Sequence, residues 1–327
     1  MNRQQLRQDW LSGYFSGVPF DLTTASADAS FRSYYRVATP HGNYILMDAP
    51  TEHEDCRPFI HVLKLLARQD IHVPQLYAQD LDAGLLLLED LGDELLLDVL
   101  NDDNVITLYG QAIDTLIKIQ STTPSKHIPP YDLALLNQEM ALFVDWFLGK
   151  HLGITLNDSQ QHTINSAFSL LADNALSQPQ VLVHRDFHSR NLMQTAAGDI
   201  GVLDFQDAVT GACTYDLVSL LKDCYIRWPN QVVAALLERF RSDYNQQFNQ
   251  QITPQQLTRW FDLMGAQRHL KAIGIFCRLN YRDGKKGYLN DIPRTMNYLR
   301  DTAAKYEELH AFGTILEDVL PVLADST

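Results

Sequence analysis

A short polar segment near the middle of the chain contains the side chains best suited to chemistry. Asp186, Asn191 and Asp204 lie within VLVHRDFHSRNLMQTAAGDIGVLDFQDA. The stretch NLMQTAAGDIGVLDF predicts a β-hairpin that turns at Gly198, and such a hairpin brings Asn191 close to Asp204. Carboxylate and amide oxygens are ligands that Mg²⁺ accepts alongside water and phosphate oxygens. The spacing therefore predicts a site for magnesium and phosphate groups.

Two motifs in this segment resemble those of kinases. HRDFHSRN, residues 184–191, fits the catalytic-loop pattern H-R-D-x-x-x-x-N, and the DF of residues 204–205 fits the metal-binding Asp-Phe pair. Twelve residues separate Asn191 from Asp204. Each motif is short, but their order and spacing together indicate a phosphotransferase rather than polar residues that only cap loops.

The sequence around the motifs resembles the aminoglycoside-phosphotransferase-like small-molecule kinases rather than the protein kinases. After Asp204 the chain is predicted to enter a helix almost at once, which leaves no room for an activation loop, and no A-P-E motif follows. Gln206 stands where protein kinases have the Gly of D-F-G. Asp216 matches a position that braces the catalytic loop in this branch, and a simple helix N-cap is the equal alternative.

Longer blocks narrow the resemblance. SFRSYYRV, ILMDAP, LLLLEDLGD, DFQDAVTGACTYDLVSLLKDCY and GIFCRLNYRDGKKGYLNDIPR look like the anomeric N-acetylmuramate/N-acetylglucosamine kinases, and they extend from about Ser30 to Arg294. This resemblance implies ATP- and Mg²⁺-dependent phosphorylation of the anomeric hydroxyl of an amino sugar in peptidoglycan recycling. The kinase motifs do not themselves specify that substrate.

The resemblance also implies roles for individual residues. Asp186 is expected to accept or orient the proton of the attacking hydroxyl, and Asn191 and Asp204 to hold Mg²⁺ against the ATP phosphates. His188 and Arg190 lie on the same loop. They are candidates for contact with the substrate, and a solvated position is the alternative for both.

The nucleotide-binding segment departs from the kinase pattern. There is no G-x-G-x-x-G, and the candidate phosphate loop is SADAS, which ends at Ser30. Its small residues allow backbone N–H groups to approach phosphate. Met47 occupies the position of the usual ATP-binding lysine. Strand alternation places Arg32 and Arg36 on one face, so we expect one of them to contact the phosphates; the alternative is a surface pair beside acidic neighbours.

Two further contacts are expected from the reaction. LLLLEDLGD is predicted to form the hinge between two lobes, where adenine bonds the backbone between Glu89 and Leu91. N-acetylmuramate carries a lactyl carboxylate, and burying that charge without a partner is costly. The candidate cations are Arg227, Arg278, Arg282 and Lys285.

The elements around the motifs predict an α+β, two-lobed protein-kinase-like fold. β-rich runs such as SFRSYYRV and GLLLLED surround one main helix, whose start is predicted at a capping box of Thr51 and Glu54. They predict a nucleotide-binding N-terminal lobe of residues 1–91. Apolar stripes at helical spacing predict a larger, mostly helical C-terminal lobe of residues 92–327, for catalysis and substrate binding.

Composition limits the possible partners. The 327 residues carry a formal net charge of −14, which argues against nucleic acid and against an anionic membrane surface. The four cysteines form no C-x-x-C pair, which disfavours a zinc site and suits a reducing cytoplasm. No apolar run approaches the roughly 18 residues of a membrane span. The expected partner is a small-molecule sugar, and the sequence does not reveal whether there is a protein partner.

Two other functions remain open at the level of sequence. The acidic balance suits a cationic substrate, so a kinase for another small alcohol, of the aminoglycoside, choline or homoserine type, is one alternative. A nucleotide-binding module without catalysis is the other, because the usual lysine and glycine-rich loop are missing. The intact Asp186, Asn191 and Asp204 argue against the second.

Overall fold

Two compact units make up the protein. The computed structural model describes residues 2–27 and 31–326. The first unit comprises Met1–Leu95 with Met193–Asp207, and the second comprises Leu96–Leu192 with Ala208–Thr327. The lobe boundary between residues 91 and 92 stays a prediction. The grouping of residues 193–207 with the N-terminal segment was not expected from the sequence.

A five-stranded antiparallel sheet forms the centre of the first unit, in the order β1-β2-β3-β5-β4. Its strands are β1 (Asp21–Ala27), β2 (Ser33–Thr39), β3 (Gly42–Asp48), β4 (Leu76–Asp80) and β5 (Leu85–Glu89). Four of these were predicted from β-rich runs. β1 was not, because its sequence, DLTTASA, has few of the bulky β-branched and aromatic residues that mark a strand.

The core of this unit lies between the sheet and the helix α1 (Arg3–Phe15). Leu11 of α1 packs with Val37, Leu46, Leu85 and Leu87, and all five side chains are buried. The sequence did not predict α1, because its apolar residues are sparse. Helix α1 is therefore stabilised by the burial of its few apolar side chains against the sheet, and not by a strongly amphipathic sequence.

The second helix of the unit, α2 (Cys56–Ala67), buries the apolar face that the sequence predicts. Its start differs from the prediction. Asp55 is the N-cap and its carboxylate accepts the Arg57 N–H, so the capping box of Thr51 and Glu54 is wrong. Glu54 instead binds Arg32, and that contact removes it from any capping role.

The predicted hairpin is present as β7 (Leu192–Gln194) and β8 (Ile200–Val202). Gly198 lies in its turn with φ of +84°, a conformation that glycine adopts without strain. Backbone hydrogen bonds join the hairpin to the rest of the first unit: the Gln194 N–H donates to the Glu94 carbonyl and the Val202 N–H to the His72 carbonyl.

The second unit is mostly helical. Its α-helices are α3 (Leu96–Val99), α4 (Val105–Ser121), α5 (Leu133–Leu142), α6 (Asp158–Leu176), α7 (Tyr215–Leu221), α8 (Asn230–Phe248), α9 (Pro254–Tyr281), α10 (Ile292–Lys305) and α11 (His310–Ser326). A π-helix (Phe143–His151) continues α5, and short 3₁₀ turns span Lys286–Asp291 and Glu307–Leu309. The predicted α+β class, with a β-rich first part and a larger helical second part, is confirmed.

Two short strands interrupt these helices. β6 (Gln180–Val183) pairs antiparallel with β9 (Val209–Ala212). The chain was expected to enter a helix almost at once after Asp204; the structure places β9 before that helix, α7. The pairing joins the two sides of the polar segment, because β6 precedes the loop of residues 184–191 and β9 leads into α7.

Nowhere in the described ranges does a helix combine the length and the apolar character needed to cross a membrane.

Candidate active site

The loop of residues 184–191, called here the motif loop, follows β6 and is held by a buried carboxylate. Asp216, which is 0% exposed, accepts the backbone N–H groups of His184 at 2.7 Å and Arg185 at 3.0 Å. Asp216 therefore braces the loop. It is not the N-cap of α7, since Thr214 holds that position. Burial raises the pKa of Asp216 to about 6, while the two N–H donors favour its ionised form.

The brace coincides with an unusual backbone conformation. Arg185 has φ of +77°, in the left-handed region that side chains other than glycine seldom adopt. Such a residue costs on the order of 1–3 kcal/mol unless its surroundings fix it. Asp204, in the first unit, has φ of +62°. Strained backbone thus occurs beside Asp186, the predicted catalytic residue, and at Asp204, a predicted metal ligand.

A second buried carboxylate holds the far end of the motif loop. Asp223, also 0% exposed, accepts the Ser189 N–H at 3.0 Å and the Ser189 hydroxyl at 2.6 Å through the same oxygen. The Ser189 carbonyl in turn accepts the N–H of Leu97 at 3.0 Å. The loop is fixed at both ends by carboxylates that come from beyond it in the chain.

The two motif residues in the second unit contact each other. The Asn191 side-chain amide donates to the Asp186 carbonyl at 3.0 Å. The Asp186 N–H donates to Nδ1 of His184 at 3.3 Å, and the His184 ring is buried. His184 is therefore part of the loop's scaffold. The hydrogen bond of Asn191 fixes the orientation of its amide and so the direction of its oxygen.

Asp186 lies among positive charges. Burial by itself raises its pKa. The charge of Lys271 is the largest influence in the other direction, and the pKa falls to about 2 under its action together with His188, Arg268 and Arg185. Asp186 is therefore ionised at neutral pH and holds its proton only weakly.

His188 and Arg190, the predicted substrate contacts, both pack on Tyr225. The His188 ring is buried and lies 5.3 Å from the Tyr225 ring, edge to face, and burial lowers its pKa. The exposed Arg190 stacks over the Tyr225 ring, with its guanidinium carbon 4.0 Å from the ring centroid. They form one cluster beside the motif loop, and their contact with a substrate stays a prediction.

The candidate cations for a carboxylate differ in how they are paired. Arg227 bonds Asp301 at 2.7 Å, and Arg282 bonds Asp283 at 2.8 Å. Arg278 is half-buried, burial lowers its pKa, and its Nε has no hydrogen-bond partner. Within the described ranges no carboxylate pairs with Arg278. Of these three arginines, Arg278 alone forms no ion pair with a described carboxylate.

In the first unit, Asp204 follows β8 and accepts a hydrogen bond from the Gln206 amide at 2.7 Å. Arg32 pairs with Glu54 at 3.1 Å, and both side chains are largely buried. Burial lowers the pKa of Arg32, but Tyr34, Glu54 and Asp204 raise it above its ordinary value. Arg32 and Asp204 thus share one electrostatic environment within this unit.

Arg36 is bound to the predicted hinge. Its Nε donates to Asp90 at 2.6 Å, its Nη1 lies 2.7 Å from Asp93, and its Nη2 donates to the Gly92 carbonyl at 3.2 Å. Arg36 thus fits the alternative to a phosphate contact, in which the arginine pairs with acidic neighbours. Met47 is fully buried and lies across the strands from Tyr34 and Leu86.

The predicted adenine contacts lie at the end of β5. The Glu89 carboxylate accepts the Gln75 N–H at 3.1 Å and approaches the His72 ring. Leu91 is buried against Gly201 of β8, where a side chain on Gly201 would meet it at 2.8 Å. Ser30 and the rest of the candidate phosphate loop from Asp28 lie outside the described residues.

The oxygen atoms of Asn191 and Asp204 fit Mg²⁺ by their chemistry. Amide and carboxylate oxygens are hard ligands, and Mg²⁺ needs only one or two protein groups when phosphates and water complete its shell. The part of the chain that the structure describes has no cluster of three or more His, Cys, Asp or Glu side chains that could hold a metal ion.

Several residues around the motif loop were not predicted. Glu139 of α5 binds Arg185, while Lys271 and Arg268 of α9 lie near Asp186. Glu139 falls among the apolar residues of a predicted core stripe, and that anomaly was the available signal. Asp223 lies two residues beyond the end of α7 at Leu221, where no local pattern in the sequence marks it as a partner of the loop.

Comparison with known proteins identifies the wider group. The sequence profile of the phosphotransferase enzyme family matches residues 21–257. A Pseudomonas putida protein described as an N-acetylmuramate/N-acetylglucosamine kinase is 46% identical, over 97% of this chain and 94% of its own. A Neisseria meningitidis protein with the same description is 38% identical, over 98% and 97% of the two chains.

Solved structures show the same fold at low identity. The choline kinase of Streptococcus pneumoniae superposes with a TM-score of 0.65 at 14% identity, over 94% of this chain and all of the other. The GDP complex of aminoglycoside 2′-phosphotransferase-IIIa gives 0.63 at 15% identity, over 94% of this chain and 100% of the other. These likenesses confirm the predicted kinase-like fold class.

The brace by Asp216 generates a prediction. Asp216→Asn keeps the size of the side chain but leaves one of the two loop N–H groups facing an amide donor. We expect a loss of about 1–3 kcal/mol in the free energy of unfolding, the cost of an unsatisfied buried donor. Urea denaturation measures it. The same substitution at the exposed Asp102 should stay within about 0.5 kcal/mol of wild type; equal effects at the two positions would contradict the brace.

Proposed function

Because this chain belongs to the phosphotransferase enzyme family, we propose that it is an ATP-dependent amino-sugar kinase that phosphorylates N-acetylmuramate and N-acetylglucosamine at the anomeric hydroxyl. The proposed substrates rest on one observation: relatives with that description are 46% and 38% identical to this chain over nearly its whole length. A match of this extent includes both units, and it is not limited to the kinase motifs.

The motifs support the assignment of roles. We propose that Asp186 orients the acceptor hydroxyl and takes its proton, and that Asn191 and Asp204 hold Mg²⁺. The metal, when bound, neutralises charge on the transferring phosphate. Three features of the second unit favour the role of Asp186: its ionised state, the brace that fixes the loop, and the bonded Asn191 amide.

The cation that replaces the usual lysine is proposed to be Arg32. Its pairing with Glu54 at 3.1 Å resembles, in chemistry, the lysine–glutamate pair of kinases. It also shares the electrostatic environment of Asp204. Arg36 is less suited, because Asp90 and Asp93 already engage its guanidinium.

A lactyl carboxylate, present only in N-acetylmuramate, is proposed to pair with Arg278. This arginine is half-buried and makes no ion pair with a described carboxylate, so a substrate anion would supply its missing counter-charge. Glu139 is near enough to influence its charge, and Glu139 also binds Arg185 of the motif loop.

A second candidate is a kinase for another small alcohol. The choline kinase of Streptococcus pneumoniae shares the fold, but a sequence identity of 14% does not indicate a shared substrate. The net charge of −14 suits a cationic substrate, whereas the proposed sugars are neutral or anionic.

A cytoplasmic site of action is part of the main proposal. It is supported by the four buried cysteines, none of which forms a disulfide in the described ranges.

A substrate panel with phosphorus NMR tests the proposed reaction. With MgATP, we expect both sugars to give a 1-phosphate, and choline, homoserine and an aminoglycoside to give no product. Asp186→Asn should reduce kcat by about 10²–10⁴-fold, the usual contribution of a positioned proton acceptor. Phosphate on the 6-hydroxyl, or turnover of choline alone, would overturn the proposal.

The role of Arg32 predicts a difference between two matched variants. Arg32→Met should raise the KM for ATP by about ten- to a hundredfold, since a charge-assisted contact contributes about 1.5–3 kcal/mol. Arg36→Met should leave that KM near wild type, and should instead weaken the segment of residues 90–93, because it removes the ion pairs with Asp90 and Asp93. Steady-state kinetics with varied ATP measures both. The reverse order of effects would assign the phosphate contact to Arg36.

The pairing of Arg278 predicts a change of specificity. Arg278→Met should lower kcat/KM for N-acetylmuramate by about ten- to a hundredfold relative to N-acetylglucosamine, because only the first sugar carries the carboxylate. Arg282→Met is the matched control one helical turn away, where the arginine already has Asp283 as a partner. Equal losses for both sugars in Arg278→Met would refute the pairing.

A further inference from the structure

A buried ion cluster in the second unit is attached to the motif loop. Glu139 of α5 is 5% exposed, and one of its carboxylate oxygens accepts the guanidinium of Arg185 and lies 3.3 Å from Nζ of Lys271. The other oxygen accepts the hydroxyl of Tyr131. A single carboxylate therefore binds the residue next to Asp186 in the chain and a lysine from α9.

The cluster is tied to its surroundings by further hydrogen bonds. Nζ of Lys271 donates to the Tyr215 hydroxyl at 3.0 Å, and the Gln267 amide donates to the Tyr131 hydroxyl at 3.1 Å. The rings of Tyr131 and Tyr215 meet edge to face at 5.3 Å. Contacts on α5, α7 and α9 thus converge on this group, which leaves it little freedom to move.

The charges of the cluster do not balance within it. Arg185 and Lys271 contribute two positive charges and Glu139 one negative charge. Asp186 senses both cations, and Lys271 is the strongest of the charges that favour its ionised form. Asp186 follows Arg185 directly in the chain and lies within the electrostatic reach of both cations, so its orientation is expected to depend on where Glu139 holds them.

Stability alone is a poor reason for this arrangement. Replacing a buried ion cluster by apolar side chains of similar size is often neutral or stabilising. Arg185 is also in a strained left-handed conformation, which persists only where neighbours over-determine it. Strain and buried charge at the residue preceding Asp186 point to a role in the geometry of the loop.

We propose that Glu139 is a positioning residue for Asp186, which it orients by holding the side chains of Arg185 and Lys271. The inference rests on the proposed kinase function, in which Asp186 aligns the acceptor hydroxyl. Glu139 itself touches neither substrate in this scheme. Its loss should therefore impair the alignment in the transition state more than the binding of ATP or sugar.

The same unit offers a closely matched control. Asp262 of α9 is 7% exposed and also binds two cations and a tyrosine: Lys222 at 2.8 Å, Lys305 at 2.6 Å and the Tyr306 hydroxyl at 2.8 Å. None of these partners belongs to the motif loop. Asp262→Asn therefore removes the same kind of buried charge without touching Arg185 or Lys271.

We expect Glu139→Gln to lower kcat by about ten- to a hundredfold, the effect of a small misplacement of a catalytic group. The KM values for ATP and sugar should stay within about twofold, as for an interaction made only in the transition state. Asp262→Asn should lower the melting temperature comparably and leave kcat per folded molecule unchanged. An unchanged kcat in Glu139→Gln, or an equal fall in both variants, would overturn the inference. If Glu139→Gln does not fold, the double variant Glu139→Gln/Lys271→Met, which removes one charge of each sign, carries the same expectation.

A double-mutant cycle tests whether Glu139 acts through Asp186. In the Asp186→Asn background, Glu139→Gln should have little further effect on the residual kcat, because the group that it positions is already gone. A loss as large as in the wild-type background would show that Glu139 acts independently of Asp186, and the inference would fail.

A crystal structure of Glu139→Gln gives a result that does not depend on the substrate. We expect the Asp186 side chain to be displaced or disordered there and ordered as in wild type in Asp262→Asn. An unmoved Asp186 with unchanged B-factors would overturn the inference even if the protein phosphorylates no sugar. Conversely, a displaced Asp186 together with an inactive wild-type enzyme would refute only the proposed function.

Discussion

The conformation of the motif loop depends on one buried carboxylate, that of Asp216. Two consecutive backbone N–H groups, those of His184 and Arg185, point at its two oxygens. Consecutive N–H groups point the same way only when the chain turns sharply, and the left-handed φ of Arg185 supplies that turn. Asp216 lies in the first turn of α7, where a negative charge interacts favourably with the helix dipole. The helix and the carboxylate together offset the strain, and Asp186 follows directly.

The far end of the motif loop needs a second carboxylate. A loop held only at Arg185 could still rotate about that point, but Asp223 fixes Ser189 four residues later. Asp216 lies in α7 and Asp223 lies two residues beyond its end, so hydrogen bonds hold both ends of the loop to this helix and the residues after it. β6 leads into the motif loop and β9 leads into α7. Because the two strands pair with each other, they also hold the start of the loop close to the start of the helix. Asp186 and Asn191, the motif residues of this unit, are thus positioned by contacts between protein groups.

Local patterns in the sequence predicted the elements, and long-range partners were out of reach. The hairpin was readable because Gly198 and the flanking apolar runs act over a few residues. The helix start at Asp55 was missed because Glu54, which has the chemistry of a capping residue, is bound by Arg32 from 22 residues away. Glu139 was missed for a related reason: its neighbours Leu136 and Met140 indicate a core stripe, and nothing nearby shows that a buried acid there meets the motif loop. The fold class and the identity of the motif residues follow from sequence, whereas the charges around them follow from packing.

Those charges bear on the chemistry that the site can perform. A carboxylate whose pKa is about 2 is a weak base at neutral pH, and the surrounding cations keep it so. Such a group contributes by orientation and by accepting a proton late, as the bond to phosphorus forms, since phosphoryl transfer requires alignment and charge neutralisation more than deprotonation in advance. An anomeric hydroxyl is more acidic than an ordinary alcohol, because the ring oxygen withdraws electron density from it. It therefore needs less help from a base than the hydroxyl of choline does. In the proposed reaction, a firmly positioned but weakly basic Asp186 suits this acceptor, because aligning the hydroxyl matters there as much as taking its proton.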